Sequence, residues 1–167
     1  MKLVLFGATG MVGAGVLREV LDAAEVEAVL SVGRRSCGVV HPKLRELLLP
    51  DLFDLAAAEA QLVGYDACIW AVGISSVGLD EAAYSRVTEE LTLVWELTLL
   101  RLNPDFSFCY CSAAGAGGKS MWARVRQRTF PGLFTTSERL GRAMLRVVQG
   151  RADRFILESR DINRVGQ

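Results

Sequence analysis

The chain has 167 residues, 51% of them hydrophobic, with 19 Lys and Arg against 19 Asp and Glu, a length that suits one domain with a sizeable core. The neutral balance argues against a general binder of nucleic acid or of membrane surfaces, although basic residues crowd positions 119–128 and 139–154. No apolar run reaches the ~20 residues that a bilayer span needs.

The first predicted element is a strand over Leu3–Phe6, followed by Gly7-Ala8-Thr9-Gly10-Met11-Val12-Gly13 and a helical pattern over Met11–Ala24. Strand, glycine turn and helix start come in the order that a dinucleotide pyrophosphate requires. Gly7 lets the chain turn off the strand. Gly10 lets backbone amides approach a phosphate, and Gly13 lets the helix pack closely on the strand. The helix N-terminus then offers unpaired donors and a partial positive charge, so Thr9, Met11 and Val12 join the three glycines as candidate cofactor-binding residues. The plainer alternative is an ordinary strand-to-helix turn. The apolar start ends in these glycines, so it is not read as a secretory signal, and a cytoplasmic location is expected.

A second strand over Ala28–Val32 leads into Gly33-Arg34-Arg35-Ser36, about 20 residues after the glycine turn, where dinucleotide folds meet the adenosine ribose. No acid stands there to bond a 2′-hydroxyl. Paired guanidiniums and a hydroxyl suit a 2′-phosphate, so Arg34 and Arg35 point to NADP in preference to NAD, the plainer alternative being a solvated basic turn at an exposed strand end. A third strand over Leu44–Leu49 precedes Asp51 and Leu52, placed to meet the adenine edge, although Asp51 equally suits a turn. A weak helix is expected over Ala56–Leu62. The fourth strand, Ala67–Val72, ends in Ala71-Val72-Gly73, whose small residues allow riboses to pass close to the backbone.

A long helix is expected over Asp80–Leu102, with Asp80 as N-cap and Leu79 and Tyr84 as a hydrophobic staple. It is apolar around much of its circumference, so one face should cover the sheet. The other suits either burial or a homo-oligomer interface. A fifth strand, Phe106–Cys111, ends at Ser112, in the crevice where parallel sheets bind ligands. Helices are then expected over Ser120–Thr129 and Ser137–Gln149, and an extended, solvated segment over Arg154–Ser159. Strands alternating with helices define an α/β, doubly wound parallel sheet, a Rossmann fold, in a single domain over 1–167. Cys37, Cys68, Cys109 and Cys111 read as small hydrophobes in a reducing compartment. With His41 the only histidine and no Cys-x-x-Cys pair, no zinc site is expected. The glycine turn lacks the Lys-Ser/Thr ending of a P-loop, which argues against a kinase.

Gly7–Gly13, Gly33-Arg34-Arg35, Ala71-Val72-Gly73 and Cys111-Ser112-Ala113 together resemble an atypical branch of the short-chain dehydrogenase/reductase superfamily. That branch is described as epimerase/dehydratase-like or Tat-interacting-protein-like oxidoreductases. The resemblance runs from residue 1 to about 129 and again over 135–163. It implies an NAD(P)-binding Rossmann domain that uses a Ser and a Tyr-x-x-x-Lys pair. Ser112 matches the catalytic Ser and is the candidate catalytic residue, as well as a cofactor neighbour. Trp122 stands at the Tyr position and Arg126 at the Lys position. An indole cannot exchange a proton as a phenol does, whereas Arg126 retains the means to bind a ribose or phosphate. Tyr110 lies out of helical register with Arg126 and reads as a packed strand residue. After Thr129 the family's substrate-binding segment is missing and Phe130-Pro131-Gly132 intervenes, so a deletion or omission between 129 and 130 is expected.

Two functions therefore remain open. One is an NADP-binding oxidoreductase or epimerase acting on a small molecule. The other is a catalytically silent NADP-binding regulatory or interaction protein, since function lives in the site and not in the fold.

Overall fold

A computed structural model of the chain describes residues 1–73, 86–111, 135–154 and 156–167. Five strands, β1 (Lys2–Phe6), β2 (Ala28–Gly33), β3 (Leu44–Leu48), β4 (Ala67–Trp70) and β5 (Ser107–Tyr110), form one parallel sheet in the order β3-β2-β1-β4-β5. The helices are α1 (Met11–Asp22), α2 (Leu91–Leu102), α3 (Ser137–Val148) and α4 (Ser159–Val165).

Each central strand is apolar on both faces, and the period-two alternation of side chains divides it between two cores. Leu3, Leu5, Val29, Ala67 and Ile69 pack with α1 and α3 on one face. Val4, Phe6, Leu30, Val32, Cys68 and Trp70 pack with Leu91, Trp95 and Leu99 of α2 on the other. Phe6 is the centre of this second core, 4.4 Å from Trp70 and 4.7 Å from Trp95 between ring centroids. The doubly wound sheet expected from the alternation of strands and helices is the observed fold.

The elements depart from expectation in three places. Over Ala56–Leu62 only a single 3-10 turn, Glu59–Gln61, forms. No side chain caps it, and only Ala58 and Leu62 are buried. A segment this short depends on a packed face to be helical. The tail is not an extended edge up to Ser159, because α4 begins there. Glu158 and Asp161 form a reciprocal capping box at its start, and the Arg146 guanidinium of α3 donates to the Val165 carbonyl at its end. The long helix is described from Arg86 onward. A wider π-type turn, Arg86–Glu90, precedes α2, while the expected cap and staple at Leu79, Asp80 and Tyr84 lie outside the described residues, as does the Ser120–Thr129 helix. The α2 face away from the sheet exposes Leu93, Val94, Leu97 and Leu100.

Candidate functional site

All five strands are parallel, so their carboxyl ends share one edge of the sheet. The chain winds outward from β1 through β2 to β3, then returns to the opposite side of β1 as β4. The topological switch therefore lies between β1 and β4, and open α/β sheets bind ligands in the crevice at such a point. Every described candidate cofactor residue stands on that edge. Gly7–Gly13 follows β1, Arg34 and Arg35 follow β2, Asp51 and Leu52 follow β3, and Ala71–Gly73 follows β4. Ser112 and Arg126 lie outside the described residues.

The glycine turn is built by close approach. Gly7 has φ +83°, a left-handed conformation that favours glycine, and a Cβ there would lie 2.4 Å from the Ala71 carbonyl oxygen. A Cβ on Gly13 would lie 2.0 Å from the Gly7 carbonyl oxygen. The first turn of α1 thus rests directly on the backbone leaving β1. Gly10 differs from both. Its amide donates to the Gly7 carbonyl at 2.9 Å, and its carbonyl accepts from Ala14 at 2.8 Å to open the helix. A Cβ at Gly10 would meet only the Gly7 carbonyl, at 3.3 Å. The side it leaves vacant is the approach to the helix start.

No side chain caps α1 and no acid stands in its first turn. The amides of Met11, Val12 and Gly13 begin the helix without a helical carbonyl to bond, and no acid of the first turn neutralises its partial positive charge. Thr9 and Met11 are exposed beside this end. Such a cradle fits a pyrophosphate in shape and in charge.

Arg34 and Arg35 are exposed, and neither guanidinium has a hydrogen-bond or ion-pair partner among the described residues. Ser36 does not join them as the sequence suggested. Its hydroxyl donates to Oε2 of Glu46 at 2.7 Å and accepts from the Gly38 amide at 3.0 Å. The other Glu46 oxygen accepts from the Cys37 amide at 2.8 Å. These bonds hold the Glu46 carboxyl below its ordinary range, the Cys37 amide contributing most. The hydroxyl proton is committed inward, which leaves the two guanidiniums as the outward-facing donors of the turn.

Asp51 is a turn former, its Oδ1 accepting from the Phe53 amide at 2.9 Å. The neighbouring Leu52 carbonyl accepts from the Trp95 indole N–H of α2 at 2.8 Å, and the Arg86 guanidinium sits 4.9 Å from the centre of the Phe53 ring. Glu46, Arg86 and Trp95 were not singled out by sequence reasoning. No local pattern marks them, because each acts on a loop outside its own element and meets it only in the folded chain.

Cys68 and Cys109 lie in β4 and β5, Cys111 just past β5, and Cys37 in the turn after β2. Cys68 is fully buried, and burial, reinforced by Cys111, pushes the Cys109 thiol up to about 12. Burial also raises Cys111, which precedes Ser112. Both are neutral thiols at physiological pH and poor nucleophiles. Among the described residues no group of His, Cys, Asp and Glu could hold a metal ion, and no helix is long and apolar enough to cross a membrane.

No family model and no curated protein matches the sequence. Solved structures do resemble it in fold. A short-chain dehydrogenase family protein of Francisella tularensis superposes with a TM-score of 0.55 at 12% identity, over 77% of this chain and 58% of that one. A uronate dehydrogenase variant of Agrobacterium tumefaciens, complexed with NAD, gives 0.54 at 23% identity, over 66% and 40%. UDP-glucuronic acid 4-epimerase of Bacillus cereus, also complexed with NAD, gives 0.54 at 15%, over 72% and 42%. The chain therefore spans 40–58% of the length of these proteins. Its fold is the Rossmann-like α/β fold that these structures share.

Proposed function

We propose that this chain binds a nicotinamide dinucleotide across the carboxyl edge of its sheet and acts as an oxidoreductase- or epimerase-like protein on a small molecule. The observation that carries the reading is the uncapped start of α1 resting on Gly7, with the Gly10 side left open. The pyrophosphate lies on the amides of Met11, Val12 and Gly13, Gly7 shapes the turn, and Thr9 lines its rim. Asp51 and Leu52 flank the adenine, and Ala71, Val72 and Gly73 give the riboses room. The dinucleotide is NADP in preference to NAD, because Arg34 and Arg35 present unpaired guanidiniums where a 2′-phosphate would stand. When bound, the cofactor supplies or accepts a hydride, and the protein positions it. Ser112 is the proposed catalytic hydroxyl, and Arg126 a ribose or phosphate contact. The location is cytoplasmic, and a homo-oligomer through the 80–102 helix would cover Leu93 and Leu97. The substrate segment is shortened between Thr129 and Phe130. Mass spectrometry of the intact protein tests its cause: a mass of 18.2 kDa, that of the 167 residues, would leave a true deletion, and a larger mass would overturn it.

One observation favours a second reading. Trp122 offers no acidic proton at the position of the superfamily's Tyr, which suits an NADP-binding regulatory or interaction protein without turnover. Calorimetric titration with NADPH and NADH tests the shared part. Selective binding of NADPH is expected, and binding of neither overturns the cofactor site. Turnover of NADPH with carbonyl substrates then separates an enzyme from a silent binder.

A further inference from the structure

We propose that Glu46 is the positioning residue that shapes the Arg34–Gly38 turn and thereby sets the preference for a dinucleotide bearing a 2′-phosphate. The inference rests on the cofactor reading above and adds a residue to it. The β2–β3 crossover carries no helix. Something else must hold its first residues against the sheet, because Arg34, Arg35 and Ser36 are exposed and Cys37 is the one residue of the turn packed on the core.

Glu46 supplies that hold. It lies on β3 opposite Ser31 of β2 and reaches the turn with both carboxylate oxygens. Oε2 accepts the Ser36 hydroxyl at 2.7 Å and Oε1 the Cys37 amide at 2.8 Å, while Ser36 Oγ accepts the Gly38 amide at 3.0 Å. Carboxylate, hydroxyl and two amides thus form one connected network across Ser36, Cys37 and Gly38. Charge-assisted bonds of this kind are the strong ones. Cys37 packs half-buried against the core on the α1 side, which anchors the far end.

The carboxylate bonds the turn and not the arginines, although it is the acid nearest to them on β3. A pair between Glu46 and either guanidinium would hide that donor from a ligand. Both guanidiniums are instead unpaired among the described residues, carried on a turn whose backbone is already fixed. A preorganised donor pair loses less freedom when it meets a phosphate.

Two accounts of Glu46 predict opposite signs. If it acts only as a negative charge near the arginines, removing that charge strengthens phosphate binding. If it positions the turn, removing the acceptor weakens it. Glu46→Ala removes charge and acceptors together. Glu46→Gln removes the charge, keeps an oxygen for the Cys37 amide and offers its amide to Ser36 Oγ. The experiment is calorimetric titration of the full chain and both variants with NADPH and NADH, with amide hydrogen exchange at Cys37 and Gly38.

In E46A, NADPH affinity is expected to fall about tenfold and NADH to stay within about twofold, with faster exchange at both amides. One lost charge-assisted contact is worth about this factor. In E46Q, NADPH affinity should return to within about threefold of wild type. An E46A chain that selects NADPH as well as wild type overturns the proposal alone, as does tighter NADPH binding by both variants. A wild-type chain that binds neither dinucleotide overturns the cofactor reading and the selectivity with it. Unchanged NADH affinity excludes misfolding of the variant as the cause.

Discussion

Gly10 and Gly13 stand three residues apart in one turn, and the structure predicts opposite consequences for filling them. Gly10 is the N-cap of α1 with φ −84° and ψ 164°, extended backbone that any residue adopts. A Cβ there meets the Gly7 carbonyl at 3.3 Å, so the neighbour needs to give by only a few tenths of an ångström. Replacing Gly10 by Leu therefore costs folding about 1 kcal/mol, the scale of an unfavourable N-cap, or about 2–4 °C in Tm for a domain of this size. The added side chain would fill the side of the helix start that glycine leaves open. There it excludes the pyrophosphate, and affinity for NADPH and NADH alike should fall at least about 100-fold, which is roughly 2.8 kcal/mol. At Gly13 a Cβ would lie 2.0 Å from the Gly7 oxygen and 2.5 Å from its carbonyl carbon. Neither atom is a flexible side-chain end, so α1 must move off the strand. Gly13→Ala should cost about 3 kcal/mol or more, at the upper end of overpacking penalties, and about 6–12 °C. Thermal melts followed by circular dichroism, paired with calorimetric titration, read both quantities. Wild-type affinity in Gly10→Leu would refute the pyrophosphate assignment, and a wild-type melt in Gly13→Ala would refute the packing argument.

Further outcomes are expected elsewhere. Replacing Arg34 and Arg35 together by Ala should weaken NADPH about 10–100-fold, the loss of two exposed charge-assisted contacts, while NADH changes little. Equal loss for both dinucleotides in the same titration would remove the 2′-phosphate assignment. Asn103 is buried and its side chain makes four hydrogen bonds, accepting from the Gly64 and Tyr65 amides and donating to the Leu62 and Leu99 carbonyls. Asn103→Ala leaves these groups without that partner and should cost about 3 kcal/mol, seen as a lower midpoint in urea denaturation. The Cys109 thiol titrates near 12 in the folded chain against a usual 9.0. The unfolded chain thus loses this proton first as pH rises, and the stabilising contribution, complete below about pH 9, should decline towards pH 12 at up to about 1.4 kcal/mol per unit. Urea denaturation across that window checks the sign, and a Cys109→Ala chain should show a shallower decline.

The sequence by itself determined the sheet and the edge of it on which the described candidate residues stand. Apolar runs such as Leu3–Phe6 and Ala67–Trp70 are local signals, and glycines at 7, 10 and 13 report a turn whose demands fall within one short stretch of backbone. Right-handed crossovers then leave few ways to arrange five parallel strands, so the carboxyl edge bearing Arg34, Asp51 and Ala71 follows from chain order. Only the tertiary structure decided how the loops of that edge are held. Ser36 and Glu46 are ten residues apart and Trp95 and Leu52 forty-three, and each pair meets only once the register of β3 on β2 and the seating of α2 on the sheet are set. The tail gave the same lesson. Ile156 and its neighbours look extended by composition, yet α4 begins at Ser159 because a capping box and the Arg146 bond to the Val165 carbonyl satisfy its ends. Local pattern specifies elements because backbone preference and periodicity act over a few residues. Side-chain partners depend on distances between elements, which are fixed only when the whole chain has packed.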